Sequence, residues 1–357
     1  MTQLQTVNLH RAKFLNQLII LPVYFGLLIM VAVCTPITPD ELNRYYAVAQ
    51  GQTAKSAWAP LTFVPTIVGY VFFSEYTAVT LTARVFNIWC LLGLFYLAQI
   101  NFNSYKLVLT LPCAAVCVLA SPQLITLLLF FMIITKQQVT VGLIIAPLGS
   151  GIIGPIYFTY ISILTIVRKL FFPTMERLEF RRIFRQLGVY IVSALLFTKM
   201  ITGEFGLFFE TQSALNNFKL GNNTEDFSPF GNKPISSDVE SGKDILGYVS
   251  ENLGLFLAQW LTKLAIYFSP IDTLKGFDLG LLFNVVLVCA WLILLYAVLV
   301  FFKSSLINNL DTSRKYLILI AASGIVYALF TVKYRYRAPF EMLFYISLFL
   351  THGKSKN

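Results

Sequence analysis

Apolar residues along the chain are gathered into long runs separated by short polar connections. Runs of about 18 apolar residues or more are typical of helices that cross a membrane. We therefore predict an all-α polytopic membrane protein with about ten transmembrane helices and with interfacial helices in its exterior loops. The predicted spans are 14–34, 60–74, 77–99, 105–120, 122–136, 141–167, 187–203, 278–302, 315–333 and 338–352.

The sixth predicted span contains the Gly/Pro-rich run APLGSGIIGPIYF, residues 146–158. Glycine and proline interrupt helices, and such a break survives at membrane depth only where protein or water covers the freed backbone groups. The sequence thus leaves two alternatives for residues 141–167, a single span or two half-helices.

Basic residues in the connections set the orientation, because cytoplasmic loops of membrane proteins carry the excess of Lys and Arg. This rule places both termini in the cytoplasm and predicts three parts. Residues 1–203 form an N-terminal transmembrane module with a first exterior loop at 35–60, residues 204–277 form a large exterior loop, and residues 278–357 form a C-terminal transmembrane module. The same topology puts Glu75 on the cytoplasmic side and Arg84 near the cytoplasmic end of the third span.

The second half of the large loop, residues 245–270, is amphipathic or apolar. We predict a helix lying in the membrane interface, with Trp260 and Tyr267 at the level of the lipid headgroups. A further span is the alternative.

Composition supports membrane integration and narrows the chemistry. Of the 357 residues, 57% are hydrophobic and only 12% are charged, and the mean hydropathy is +0.71. The net charge of +10 follows from the basic cytoplasmic loops, so we expect no nucleic-acid partner. The five cysteines show no zinc-site or disulfide spacing, and both histidines, His10 and His352, lie at predicted cytoplasmic ends.

Polar residues return immediately after the first span, in the stretch CTPITPDELNRYYAVAQGQ. Thr38, Pro39 and Glu41 have the pattern of a helix start, with a T-x-x-E capping box and proline at the first helical position. At about 100° per residue, Asp40 and Arg44 fall opposite an apolar-aromatic stripe. The pattern favours capping for Glu41, and it leaves capping and catalysis equally open for Asp40.

Several segments in this order resemble the GT-C superfamily of polyprenyl-phosphate-sugar-dependent glycosyltransferases, to which protein O-mannosyltransferases and aminoarabinose transferases belong. The segments are PDELNRYYAVAQ in the first exterior loop, LTARVFNIWCLLGLF with Arg84, ENLGLFLAQWLTKLAIYFSP and KYRYRAPFEMLFYISLFL. The resemblance covers residues 14–98 and 249–350. The chain departs from the family in being short and in having Leu253 at a usual proline.

The resemblance implies a GT-C-like fold and an inverting transfer of a sugar from a polyprenyl-phosphate donor to a lipid, glycan or protein acceptor. An acceptor hydroxyl must lose its proton as it attacks, and a carboxylate can accept it; Asp40 is the first candidate base and Glu41 the second. The leaving phosphate needs positive charge. The candidate substrate-binding residues are Arg44, Tyr45, Lys55, Lys333, Arg335 and Arg337.

We predict no certain cofactor; Mg²⁺ or Mn²⁺ held by Asp40, Glu41 and lipid phosphate is possible because these ions prefer oxygen ligands. Three other functions stay open: an O-antigen or capsule polymerase, a noncatalytic scaffold subunit, and a lipid transporter. Polymerases would carry arginines in the large loop, and residues 204–275 contain none. We expect the protein in the bacterial inner (plasma) membrane, in contact with membrane lipids.

Overall fold

The computed structural model describes residues 3–53, 59–98, 100, 105–119, 121–135, 138–171, 178–202, 253–269, 280–304, 311–329 and 334–350. Every regular element within these ranges is a helix, which confirms the all-α prediction. The helices are α1 (Gln3–Cys34), α2 (Pro39–Ala49), α3 (Val64–Phe72), α4 (Tyr76–Leu97), α5 (Leu111–Leu119), α6 (Ser121–Ile134), α7 (Val139–Gly149), α8 (Ile153–Phe171), α9 (Leu178–Thr202), α10 (Leu253–Phe268), α11 (Gly280–Ser304), α12 (Asp311–Tyr327) and α13 (Tyr334–Tyr345). Short 3₁₀ helices, Pro60–Phe63 and Tyr105–Thr110, lead into α3 and α5, and a π-helical turn, Ile346–Leu350, ends α13.

Two helical segments, Tyr76–Leu97 and Arg181–Ile201, are long and apolar enough to cross a membrane. The number rises to four if each of two bent helix pairs counts as one crossing. Large apolar side chains on these helices are exposed, Trp89 and Met200 among them. Exposed apolar surface of this kind is typical of contact with lipid. The ten predicted spans are not confirmed.

Helices α1 and α4 run antiparallel and fix the depth of the other elements. The Arg84 side chain reaches the main-chain oxygens of Ala32 and Thr35 at the end of α1, whereas Phe95 packs its ring 5.9 Å from that of Tyr24. Helix α2 turns by 77° from the last part of α1, so it lies across the end of the bundle. We call this end of the bundle, marked by Pro39–Ala49, the α2 end.

The prediction that residues 60–74 cross to the opposite side is wrong. The Tyr45 hydroxyl on α2 donates to the Ser74 main-chain oxygen at 2.7 Å, so the turn between α3 and α4 lies at the α2 end. Glu75, predicted on the cytoplasmic side, therefore lies on the same side as α2. The physical reason is length, because the 13 residues Pro60–Phe72 span about 20 Å, less than a hydrocarbon core of about 30 Å.

The Gly/Pro-rich run does divide the sixth predicted span into half-helices. Helix α7 ends at Gly149 and α8 begins at Ile153, so the break falls at residues 150–152. A Cβ atom on Gly149 would lie 2.6 Å from a methyl carbon of Leu129, which shows how closely α7 approaches α6 here. The preceding segments, Lys106–Leu119 and Pro122–Ile134, form a pair bent by 118° rather than two straight spans.

Helix α10 crosses α12 at an angle. Trp260 and Tyr267 are seven residues apart on α10, yet Trp260 donates to the Ile325 oxygen at 3.2 Å and the Tyr267 hydroxyl lies 2.5 Å from that of Ser323. Helices packed side by side would bring the two side chains to different turns of α12. The crossing favours the interfacial alternative for this segment; residues 245–252 and 270 lie outside the described part of the chain.

Candidate functional site

The start of α2 has the predicted capping box. The Glu41 main-chain N–H donates to the Thr38 hydroxyl at 3.2 Å, and the Thr38 main-chain N–H donates to the Glu41 carboxylate at 2.9 Å. Both Glu41 and Arg44 are buried, whereas Tyr46 is half exposed. Helix α2 therefore turns its charged side toward the protein, as expected of a helix whose other side meets lipid.

The Glu41 carboxylate is also bound by Arg84 in a bidentate ion pair. The Arg84 Nε donates to Oε1 and a terminal nitrogen donates to Oε2, each at 2.7 Å. The other Arg84 N–H groups bind the main-chain oxygens of Ala32, Thr35 and Pro36. Because all five donors of the guanidinium are used, Arg84 joins the unsatisfied carbonyl end of α1 to the start of α2.

The sequence prediction for Arg84 needs a correction in its position. The structure shows this side chain in a buried ion pair with Glu41. The predicted location near the cytoplasmic end is wrong, because the turn before α4 lies at the α2 end. Charged residues within apolar runs usually pair with a residue of opposite charge. This rule could have predicted the pairing of Arg84 with Glu41 from the sequence.

Asp40 meets Arg335, which lies at the beginning of α13, 295 residues further along the chain. The Arg335 guanidinium donates to the Asp40 carboxylate, and the two side chains keep 18% and 30% of their surface exposed. Burial lowers the pKa of Arg335, but the neighbouring Tyr336 and Asp40 outweigh it, so its pKa lies above the ordinary value. The pair thus presents a carboxylate and a permanently charged guanidinium side by side at the α2 end.

Aromatic rings continue from this pair into the protein. The Arg335 guanidinium lies 5.1 Å from the centre of the Tyr336 ring, which stacks on Tyr327 at 4.7 Å. Tyr327 in turn stacks with Tyr267 of α10 at 6.3 Å. This row of three tyrosines places α10, α12 and α13 around one side of the Asp40–Arg335 pair, and no pattern in the sequence predicts it.

The described residues of KYRYR have different surroundings on α13. Arg335 contacts Asp40 of α2, whereas Tyr334 and Arg337 are buried in the bundle. The Glu341 carboxylate lies 2.5 Å from the Arg337 Nε and accepts from the Tyr334 hydroxyl at 3.0 Å. The Cys113 thiol donates to the same carboxylate at 3.3 Å. Arg337, a predicted substrate-binding residue, is therefore 1% exposed and held within the core.

The remaining predicted residues are placed as follows. Arg44 is buried beneath α2, with 2% of its surface exposed. The Tyr45 ring packs against Tyr46, Tyr70 and Tyr76 in an aromatic group at the turn between α3 and α4. Lys55 and Lys333 lie outside the described residues.

A divalent ion has limited support from this geometry. Both Glu41 oxygens already accept hydrogen bonds from Arg84, which leaves Asp40 as the accessible carboxylate of the predicted pair. Within the ranges that the structure describes, no group of three or more His, Cys, Asp or Glu residues is arranged to hold a metal. Substrate oxygens and water are further ligands that suit a divalent ion at Asp40.

Comparisons with protein-family models, with curated proteins and with solved structures find no match to this chain.

Proposed function

We propose that this protein is an integral-membrane inverting glycosyltransferase of GT-C-like fold, which moves a sugar from a polyprenyl-phosphate donor to a lipid, glycan or protein acceptor. The observation that supports it most is the contact between Asp40 and Arg335. The two halves of the chain bring one base and one phosphate-binding cation together at a partly open position, while Glu41 is held by Arg84. The reaction needs these two groups together.

The proposed membrane orientation puts the α2 end on the exterior face of a bacterial inner membrane. Helix α2 then lies in the outer interface with its charged side against the protein. The basic residues Arg182, Arg314 and Lys315 belong to the opposite end, since Lys315 is near the start of α12 while Tyr327, at its end, stacks on Tyr336. Their position agrees with a cytoplasmic excess of positive charge.

In the proposed transfer, Asp40 accepts the proton of the acceptor hydroxyl as its oxygen attacks the anomeric carbon. The new C–O bond forms on the face opposite the lipid phosphate, so the configuration inverts. The bond between the anomeric carbon and the phosphate oxygen breaks, and its electron pair leaves with the phosphate. The Arg335 guanidinium binds the phosphate oxygens, because its planar fork matches two of them.

The closed Asp40–Arg335 pair gives the reaction an order. A carboxylate in direct contact with a guanidinium is a weak base, because the positive charge stabilises its ionised form. We propose that the donor phosphate binds Arg335 first and draws it from Asp40, which makes the carboxylate a stronger base toward the acceptor. The base then acts only when a donor is present.

Glu41 and Arg84 have a positioning role in this proposal. Their ion pair fixes the first turn of α2 against the end of α1, and Asp40 belongs to that turn. In this proposal Arg337 does not bind the phosphate, because it forms an ion pair with Glu341 in the core. The stacked rings of Tyr327 and Tyr336 form the wall beside Arg335, where an apolar sugar face or the first isoprene unit could pack.

The closed ion pair also favours a second candidate, a noncatalytic scaffold subunit of the same fold. A structural role for Asp40 and Arg335 would need no substrate and would keep the contact permanently.

Transfer from labelled polyprenyl-phosphate sugars by membranes containing the wild-type protein distinguishes the two candidates. We expect transfer with at least one donor, and an Arg335→Gln variant should raise the donor KM about tenfold or more through loss of a charge-assisted contact. Arg314→Gln, which removes an exposed cation at the opposite end, is the matched control. Absence of transfer with every donor tested would support the scaffold.

A further inference from the structure

A polar cavity lies at the end of the bundle opposite α2. Its volume is about 220 Å³, and residues of α6, α7, α8, α9 and α12 surround it. Lys315 is 12 residues before Tyr327 on α12, so at 1.5 Å per residue this cavity is about 18 Å from the tyrosine row beside Arg335. The cavity is therefore separate from the site proposed for sugar transfer.

The polar lining of this cavity is basic. Arg182 reaches it from α9 and Lys315 from α12, and none of the twelve lining residues that the structure describes is acidic. Cationic side chains that line one cleft attract an anion into it. Low-dielectric walls strengthen the effect, because they concentrate the positive field in the cleft.

Neutral hydrogen-bonding groups complete the site. The Tyr157 hydroxyl donates to the side-chain carbonyl oxygen of Gln186 at 3.1 Å. Because this oxygen is bound by Tyr157, the amide N–H₂ of Gln186 is the group that can donate to a ligand. Tyr160 and Thr165 also line the cavity. An arginine fork, an ammonium group and an amide together suit the oxygens of a phosphate group.

Size and wall chemistry narrow the ligand. The cavity is smaller than the roughly 300–1,000 Å³ of sites that enclose whole small molecules, so it fits a single anionic group. The other wall is apolar and includes Ile133, Val139 and Leu164, which would suit a hydrocarbon chain leaving the anionic group. Basic pockets between membrane helices are known positions for anionic lipid headgroups.

From these observations we infer that the cavity between Arg182 and Lys315 is a binding site for a phosphate monoester or diester group, carried by a membrane phospholipid or by a free phosphate compound. It is independent of the glycosyltransferase proposal, because it uses no residue of the Asp40–Arg335 site. Occupation of the cavity joins α9 to α12, so the ligand stabilises the packing of the two helices.

The test is isothermal titration of the full-length protein in a neutral detergent, with dihexanoyl phosphatidic acid and, separately, inorganic phosphate. The double variant Arg182→Gln/Lys315→Gln removes both cations of the cavity. The matched control Arg181→Gln/Arg314→Gln removes the same charge from exposed neighbours that do not line it. We expect the cavity variant to bind about tenfold or more weakly and the control to bind within about twofold of wild type.

The two probes separate the sources. Binding of phosphatidic acid alone identifies a lipid headgroup, and binding of inorganic phosphate identifies a free phosphate compound; either result, if lost in the cavity variant, supports the site. If the control variant loses as much affinity as the cavity variant, binding depends only on the overall positive charge, and the inference is wrong. It is also wrong if the wild-type protein binds neither probe. If the double variant elutes abnormally in size-exclusion chromatography, the single variants Arg182→Gln and Lys315→Gln are compared with the single controls Arg181→Gln and Arg314→Gln.

Discussion

Glu41 and Arg84, 43 residues apart, form a buried bidentate ion pair that joins the end of α1 to the start of α2. Their exposed side-chain surface is 8% and 1%. Removal of one member of a buried pair leaves an uncompensated charge in a poorly hydrated place, and the cost is typically about 3–5 kcal/mol. This geometry supports a structural role for Glu41, whereas Asp40 is the base only in the mechanism proposed above.

Glu41→Gln is therefore expected to lower the melting temperature of the purified protein strongly, because Arg84 loses its counter-charge. The double variant Glu41→Gln/Arg84→Met should recover part of the loss, since it removes the isolated charge. Glu75→Gln is the control, an acid at the surface whose carboxylate caps α4. If Glu41→Gln and Glu75→Gln lower the melting temperature equally, the pair is not the structural junction described here.

Helix α3 approaches α4 closely at Gly69. A Cβ atom there would lie 2.4 Å from the Val79 main-chain oxygen, so the two helices would have to separate. We expect Gly69→Ala to reduce the free energy of unfolding by about 1–3 kcal/mol. Gly93→Ala, on the same hairpin but with nothing within 4 Å of its Cβ position, should be neutral or stabilising by up to about 1 kcal/mol. Chemical denaturation of both variants compares them, and equal effects would contradict this packing.

The placement of Glu75 beside α2 predicts its accessibility. In a protein whose exposed cysteines Cys34 and Cys289 are replaced by serine, Asn43→Cys and Glu75→Cys should react with a membrane-impermeant maleimide from the same side. Arg314→Cys, at the start of α12, should react from the other side. If Glu75→Cys and Arg314→Cys react from the same side of the membrane, residues 60–74 cross it as the sequence analysis predicted, and the placement of Glu75 beside α2 is wrong.

These cases show which features are readable from sequence. The capping box at Thr38 and Glu41 follows from local rules, and the structure has it. Glycine and proline in the run 146–158 left a single span and two half-helices as alternatives, and the structure has the break between α7 and α8. Residues 60–74 were misassigned because an apolar run gives the environment of a segment but not its direction, and a short helix that returns to its starting side has the same hydropathy as a span.

The contacts across the bundle were not readable in the same way. The exterior placement predicted for both Asp40 and Arg335 brings them to one end, but their contact depends on how α13 is rotated. In the observed rotation Arg337 donates to the Tyr267 main-chain oxygen of α10 and Glu341 accepts from the Cys113 thiol of α5, while Arg335 contacts α2. Such a choice between two cations, two positions apart on one helix, depends on packing rather than on composition.

Lys263 on α10 predicts a dependence of stability on pH. Burial lowers its pKa to about 8, below the ordinary value of 10.5. Between these two values the unfolded chain binds more protons at this group than the folded protein, so this contribution to stability rises with pH from about 8 to 10.5. Below about pH 8 the group contributes a constant cost of a few kcal/mol, at about 1.4 kcal/mol per pKa unit.

Lys263→Met should therefore raise the melting temperature at pH 7 and reduce the increase seen between pH 7 and pH 9.5. Lys303→Met, at an exposed lysine of α11, should change neither. A melting curve of Lys263→Met that follows the wild type at both pH values would show that Lys263 is not buried in its charged form at neutral pH.

In the proposed mechanism Asp40 is the base and Glu41 is not. The direct measurement is sugar transfer from labelled polyprenyl-phosphate donors by wild type, Asp40→Asn and Glu41→Gln, expressed per amount of folded protein. General-base catalysis contributes about 10²–10⁴-fold, so Asp40→Asn should lose at least 10²-fold in kcat while its melting temperature stays near that of wild type. Glu41→Gln should lose folded protein, and the part that folds should keep most of its activity. Full transfer by Asp40→Asn, or a loss confined to kcat in Glu41→Gln, would contradict the assignment of the base.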